Sequence, residues 1–232
     1  MTIKGVLFDF SGTLFRVEST ESWLRAALAE TGTALPEREL VRFAEELESA
    51  GALPGGAAPA GPLPDELTDV WAVRDEDAGS HRAAYTGLSR RVALPDPRLH
   101  DALYERHMVP EAWAPYPDAD EVLGGLRERG IAVAVVSNIG WDPRPVFRAH
   151  GLDRHIGAYV LSYEHGVQKP HPRLFTTACE ALGVAPEDTL MVGDNRPADG
   201  GAAALGCAVH FVDHLPAAER PDGLRPVLGL VG

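Results

Sequence analysis

Gly5-Val6-Leu7-Phe8-Asp9-Phe10-Ser11-Gly12-Thr13-Leu14 is the stretch on which the reading of this chain turns. Its first residues form an unbroken apolar run of the kind found in strands buried on both faces of a sheet. Asp9 follows at the run's end, and Gly12-Thr13 then lets the chain turn sharply. A carboxylate presented at the end of a buried strand suits a nucleophile that attacks an electrophilic centre and forms a covalent intermediate. Taken alone, Asp9 reads first as a turn or helix-cap residue. Its companions elsewhere in the chain decide between the two.

Three more apolar runs end in polar residues. Ile131 to Val136 leads into Ser137-Asn138, Thr189-Leu190-Met191-Val192 leads into Gly193-Asp194, and Tyr159-Val160-Leu161 leads into a polar loop that reaches Lys169. Between them lie helical patterns. Asp118 to Arg129 opens with an Asp-x-x-Glu cap (Asp118, Glu121) and stops at Gly130. Arg173 to Leu182 sets Leu174, Phe175, Ala178, Cys179 and Leu182 at helical spacing before Gly183. Apolar strands alternating with amphipathic helices predict an α/β fold with a doubly wound parallel sheet. Ligands of such sheets bind at the carboxyl ends of the strands, where Asp9, Ser137, Lys169 and Asp194 would gather.

The segment 16–113 has no run resembling a buried parallel strand and reads as helical throughout. Ser19 or Thr20 caps a helix carrying Trp23, Leu24, Ala27 and Leu28, and a second from Glu37 aligns Leu40, Phe43, Ala44 and Leu47. Gly51 to Pro64, rich in Gly, Ala and Pro, reads as a flexible loop. Helices are expected over 65–73, 79–92 and 97–107. The predicted organisation is therefore a core built from 1–15 and 114–232 with an inserted helical cap domain at 16–113.

Composition narrows the partners. The formal charge of −13 over 232 residues argues against nucleic acid and anionic membrane surfaces. No stretch approaches the roughly 20 apolar residues of a membrane span, and the first strand follows without a signal segment, so a cytoplasmic location is expected. Cys179 and Cys207, in a predicted helix and a predicted strand, lack metal-type spacing and read as buried free thiols. None of the nine histidines forms a ligand-spaced pair on one helix, and His171 reads as a solvent-facing residue at a helix start.

The acidic residues point to a metal. Asp194 and Asp199, in Gly193-Asp194-Asn195-Arg196-Pro197-Ala198-Asp199, join Asp9 as hard oxygen ligands from two adjacent strand ends, a donor set suited to Mg²⁺. Lys169 stands out by composition, since the chain has 19 Arg but only two Lys. A Lys retained at Gly166-Val167-Gln168-Lys169-Pro170 implies a compact ammonium between a carboxylate and an oxyanion, where a planar guanidinium would not fit. Ser137 reads either as a contact to an oxyanion or as a turn cap. Asn138, Trp141 and Arg144 begin the loop after a central strand, within reach of a substrate.

Together these four motifs, in their order and at strand ends, resemble those of the haloacid dehalogenase-like hydrolase superfamily, over the core from Met1 to about Val212. The resemblance implies a helical cap closing over the pocket, Asp9 as nucleophile, Thr13 orienting the first loop, and Ser137 and Lys169 on phosphoryl oxygens. It also implies Mg²⁺ held by Asp9, Asp194 and the backbone carbonyl of Ser11, with Asp199 supporting through water. In the phosphatases of that family the first motif is Asp-x-Asp-Gly-Thr-Leu, and the second Asp protonates the leaving group and later takes a proton from water. Here that residue is Ser11.

The expected activity is Mg²⁺-dependent hydrolysis of a small phosphorylated metabolite through an aspartyl-phosphate, slow or selective for good leaving groups because Ser11 cannot transfer the proton. One competing reading is a catalytically weak protein that binds a phosphorylated ligand for regulation. The other is a haloacid dehalogenase, a branch that also lacks the second Asp but works without metal, and against it stands the intact Asp194. Substrate identity, oligomeric state and the role of the Pro-rich segment 216–226 have no signal in the chain.

Overall fold

The computed structural model describes residues 2–231. Strand β1 (Gly5–Phe8) leads through the Asp9 turn into a short strand β2 (Phe15–Val17). Five helices follow: α1 (Thr20–Thr31), α2 (Glu37–Ser49), α3 (Asp65–Ala72), α4 (Ala78–Ser89) and α5 (Arg98–Arg106). The chain returns through β3 (Trp113–Pro115), α6 (Ala119–Glu128), β4 (Ala132–Ser137), α7 (Arg144–Ala149), β5 (Ala158–Leu161) and α8 (Ser162–His165). It ends with α9 (Pro172–Leu182), β6 (Thr189–Gly193), α10 (Arg196–Asp199), β7 (Ala208–Phe211) and α11 (Pro226–Leu230). None of the helices among the described residues is long and apolar enough to cross a membrane.

The central sheet is parallel, with strand order β5-β4-β1-β6-β7. The chain winds outward from β1 through β4 and β5, then comes back to lay β6 and β7 on the other side. Strand order thus reverses at β1, whose carboxyl end becomes the natural place for a site. Both faces are covered. Leu7, Val136 and Met191 pack on Leu174, Phe175 and Ala178 of α9, while Val6, Phe8, Val135 and Val192 face the cluster containing Val122, Leu123 and Leu126 of α6. Burial on two faces is why these strands read as continuous apolar runs.

The segment 16–113 departs from a purely helical reading at its ends. Phe15–Val17 pairs antiparallel with Trp113–Pro115, so Arg16, Val17 and Trp113 belong to a two-stranded ribbon through which the five helices leave and rejoin the core. Three-residue strands hold too few alternations to register as a pattern. The ribbon is fastened by an aromatic cluster: the Phe10 ring lies 4.6 Å from Trp113, 5.3 Å from Phe15 and 5.6 Å from Phe147. Truncating Phe10 to Ala would cost about 3 to 5 kcal/mol by emptying this junction.

Two other local readings change. Asp118 and Glu121 do not form a capping box. Asp118 is buried and accepts hydrogen bonds from the backbone N–H of Leu224 (2.7 Å) and Arg225 (3.0 Å), and Glu121 pairs with the Arg225 side chain. The residues at this helix start are spent on holding the C-terminal segment, a partnership that spacing along the chain does not register. Cys207 precedes β7 rather than lying in it; it and Cys179 of α9 are buried free thiols.

The 51–64 stretch carries no regular structure, as its composition predicts, yet Ala52 and Leu53 are buried. The loop is packed down against the first motif rather than free in solvent. Gly55, at φ +77°, is the contact point, for a side chain there would meet Ser11 Oγ at 2.6 Å and the Trp113 ring at 2.7 Å.

Candidate active site

The site assembles at the carboxyl end of β1. Asp9 is fixed to β6 by its N–H, which donates to the Val192 carbonyl at 2.9 Å. Gly12 makes the turn with φ +78°, and a Cβ there would fall 2.5 Å from Asp194 Oδ2. Only glycine satisfies both the positive φ and the close approach of a carboxylate. Thr13 is buried and its hydroxyl donates to Asp194 Oδ1 across a long 3.4 Å. Ser11 directs its hydroxyl at the Gly55 carbonyl at 3.5 Å, the limit of hydrogen-bonding distance.

Strand β6 delivers the other two carboxylates. Asp194 follows its last residue, and Asp199, fully buried, accepts from the Asn195 N–H at 2.9 Å. A Cβ at Gly193 would meet Asp199 at 2.1 Å, so this glycine makes room for the carboxylate behind the strand. Lys169 bridges the cluster, its ammonium donating to Asp9 Oδ1 at 2.7 Å and to Asp199 Oδ1 at 2.6 Å. The lysine backbone is held in turn. Asn138 Oδ1 accepts from the Lys169 N–H at 2.6 Å, and its Nδ2 donates to the Lys169 carbonyl at 3.0 Å.

Burial and charge shift these groups in different directions. Burial, with Asp199 and Asp194 nearby, pushes Asp9 up to about 7 against the opposing pull of Lys169. The Lys169 ammonium is disfavoured by burial, but Asp199 and Asp9 outweigh that and hold its pKa above the usual lysine range. Asp194 loses to burial and gains more from its 2.6 Å contact with His214 Nδ1, which holds it below the usual carboxylate value. Oxygen atoms of Asp9, Asp194 and Asp199 lie within 4.8 Å of one another, an all-carboxylate donor set that fits a hard divalent cation.

Asp9, Asp194 and Lys169 form the floor of a cavity of about 240 Å³, with Asp199 buried behind them, and Ser137 and Asn138 also line it. Trp141 joins them, whereas Arg144 points away and pairs with Glu164 at 2.8 Å. Asn138, expected as a substrate contact, has its amide taken up by the Lys169 backbone and so positions the lysine. His171 caps α9 by accepting from the Arg173 N–H and is exposed, as its place in the sequence predicts.

Several lining or supporting residues carry no sequence signal. His214, beyond β7, reaches Asp194, and Arg220, in the Pro-rich segment, donates to the carbonyls of Gly12 (2.7 Å), Asp213 (2.9 Å) and Thr13 while lying over the Tyr116 ring. The roof comes from α3, α4 and the turn between them: Trp71, Arg74, Asp75, His81 and Tyr85. Residues 53–58 form one wall.

A family model described as haloacid dehalogenase-like hydrolase matches residues 3–206. The chain is 31% identical to glyceraldehyde 3-phosphate phosphatase of Methanopyrus kandleri over 85% of its own length and 78% of that protein. It is 29% identical to (S)-2-haloacid dehalogenase 4A of Burkholderia cepacia, over 88% of its length and 80% of the relative. Phosphoserine phosphatase of Thermus thermophilus is 41% identical, but the match spans only 46% of this chain and 44% of that enzyme. Among solved structures, L-2-haloacid dehalogenase of Xanthobacter autotrophicus with chloropropionic acid covalently bound is 25% identical, with a TM-score of 0.64 over all of this chain and 85% of that one.

Proposed function

This chain belongs to the haloacid dehalogenase-like hydrolase family, and we propose that it is a Mg²⁺-dependent phosphatase-type hydrolase of a small phosphorylated metabolite, working through an aspartyl-phosphate on Asp9. The observation that carries this reading is the convergence of three carboxylates, Asp9, Asp194 and Asp199, with Lys169 bridging two of them at the bottom of one cavity. Relatives named as phosphatases support it.

Asp9 attacks the phosphorus, and the bond to the leaving oxygen breaks with its electron pair. Lysine has three N–H donors. Two of those on Lys169 are spent on Asp9 and Asp199, which aims the third at a phosphoryl oxygen as charge develops there. Ser137, at the end of β4, offers its hydroxyl to another. Asp9, Asp194 and the Ser11 carbonyl would hold Mg²⁺, with Asp199 supporting, and the bound ion would supply positive charge that favours ionised Asp9 and offsets the phosphoryl oxygens. Water then attacks the phosphorus of the aspartyl-phosphate, the P–O bond to Asp9 breaks with its electron pair to restore the carboxylate, and the phosphate leaves with both water protons, a slow step because Ser11 cannot take one. The five-helix insertion acts as a cap over this pocket, and the enzyme works in the cytoplasm.

Ser11 shapes the substrate range. A missing general acid costs about 10² to 10⁴ in rate where the leaving group must be protonated. Acyl phosphates and similar esters depart without a proton, so they are the favoured substrates. The test is hydrolysis of acetyl phosphate with Mg²⁺ or with excess chelator, in the wild type and in Asp194→Asn. Turnover that needs both the metal and Asp194 is the expected result. Chelator-resistant release of chloride from 2-chloropropionate, with no phosphate released from acetyl phosphate, would replace this reading with a dehalogenase.

A further inference from the structure

Asp75 is a buried carboxylate that the phosphoryl chemistry leaves unused. It sits in the turn between α3 and α4, is 4% exposed, and lines the same cavity as Asp9 and Lys169. Its ion-pair contacts are to Arg74, with Nε 3.5 Å from Oδ2, and to His81, with Nε2 3.8 Å from Oδ1, and the Lys169 charge also acts on it. Charge-assisted hydrogen bonds are about 2.7 to 2.9 Å long, so neither contact satisfies the carboxylate. Arg74 Nε is itself buried without an acceptor, and its Nη1 donates to the Trp71 carbonyl at 2.8 Å. His81 cannot supply a charge, because burial first and then Arg74 push its pKa down to about 3. Its Nδ1 is taken by the Tyr104 hydroxyl at 2.8 Å.

The position of Asp75 is not accidental slack in a loop. The Asp75 carbonyl accepts from the Ser162 hydroxyl, which in turn accepts from the Ile139 N–H at 2.9 Å. The Ala72 carbonyl accepts from Gln168 Nε2 at 2.6 Å, one residue before Lys169. His81 packs against Gly140, where a Cβ would meet the His81 Cβ at 2.2 Å. Three contacts therefore clamp the roof onto the loops that follow β4 and β5, and hold the Asp75 carboxylate in the cavity. A carboxylate shielded from bulk water and without a hydrogen bond of its own gains from a ligand that brings both a positive charge and N–H donors.

We propose that Asp75 is the specificity-determining residue of this site and binds an ammonium group of the substrate, which, with leaving groups that need no proton favoured, makes the substrate a small acyl phosphate bearing an amine. The inference rests on the phosphatase reading for where the phosphoryl end lies. The cavity of about 240 Å³ accommodates a small ligand of this kind. The Tyr85 ring lining the roof adds aromatic surface for such a cation, while the Trp71 ring already carries the Arg74 guanidinium 4.2 Å from its centre.

Two hydrolysis-resistant probes of nearly equal shape test this: 2-aminoethylphosphonate and propylphosphonate, titrated calorimetrically into the Mg²⁺-loaded wild type, Asp75→Asn and Asp75→Ala. The wild type is expected to bind the ammonium-bearing probe at least about tenfold more tightly, the worth of one hydrogen bond to a charged group. Both variants are expected to lose that preference. Equal binding of the two probes by the wild type, or a preference that survives in a folded Asp75→Asn, overturns the proposal. Acetyl phosphate turnover by the same wild-type preparation separates the two readings. Turnover without probe preference removes only the role of Asp75, whereas probe preference without turnover removes the phosphatase chemistry and leaves the ammonium site standing.

Discussion

The floor and the roof of the cavity treat buried carboxylates in opposite ways. On the floor, Asp199 is fully buried yet doubly satisfied, by Lys169 at 2.6 Å and the Asn195 N–H at 2.9 Å, and Asp194 is matched by His214. On the roof, Asp75 is nearly as buried and its carboxylate has only loose ion-pair contacts, to Arg74 at 3.5 Å and His81 at 3.8 Å. A satisfied carboxylate is set in place before any ligand arrives, as a catalytic group must be. An unsatisfied one gains a partner only when a ligand binds, which is what discrimination requires.

The comparison is broken most severely by removing the group that the floor exists to present. Asp9→Asn is expected to lower kcat for acetyl phosphate by at least about 10³, because no other group can take the nucleophile's place. Circular dichroism should show the fold retained. Activity surviving in this variant would mean that the floor is an ion-binding cluster and not the seat of the chemistry.

Next in size is Lys169→Arg, which keeps the charge but replaces a compact ammonium by a planar fork. The pocket bounded by Asp9 and Asp199 accepts donors at 2.7 and 2.6 Å from one nitrogen, so the guanidinium has no room. A fall of about 10² in kcat/KM is expected, the scale of a lost transition-state donor. Near-normal kinetics would show that only net charge matters on the floor.

Ser11→Asp probes the gap in the floor's machinery. Formation of the aspartyl-phosphate from an alkyl phosphate should rise about tenfold or more while that from acetyl phosphate changes little, because only the first leaving group needs a proton. Pre-steady-state burst rates for the two substrates, compared in one preparation, give the answer. If both rates fall, the Ser11 hydroxyl at the Gly55 carbonyl is holding the 51–64 loop in place.

The smallest effect belongs to the roof and runs toward stability. Burial raises the Asp75 pKa above the ordinary 3.8, with Arg74 and Lys169 opposing. A carboxyl whose folded-state pKa is raised favours folding at low pH, and that advantage is lost as pH climbs from 3.8 through the raised value. Asp75→Asn should therefore raise Tm at neutral pH, by about 1 kcal/mol or more of stability, and gain nothing near pH 3.5. Calorimetry of both proteins across this range checks the sign, and a variant less stable than wild type at pH 7 would mean that the roof carboxylate is satisfied after all.

Legibility followed the same division. Asp9 and Asp194 directly follow largely apolar strands and Lys169 lies in the loop beyond a third, and such strands are buried and parallel, so their ends meet at one edge. Lysine's scarcity singled out Lys169 before any contact was known. Asp75 and His81 lie in and near a turn between two amphipathic helices, where charged residues are ordinary. The capping box at Asp118 and Glu121 misread for a related reason: the local pattern is real, but residues more than a hundred positions away compete for the same oxygens and win.

Period and order along the chain were thus enough to settle the parallel sheet, its two covered faces and the carboxylates at its edge, because hydrophobic burial acts on each strand wherever its partners lie in sequence. The docking of the helices onto that edge was decided only in three dimensions. Ser162 and Gln168 clamp the Ala72–Asp75 backbone, Arg220 reaches back to Gly12 and Thr13, and His214 reaches Asp194. These are single polar contacts between distant segments, and a hydrogen bond of that kind leaves no period in the sequence from which it could be read.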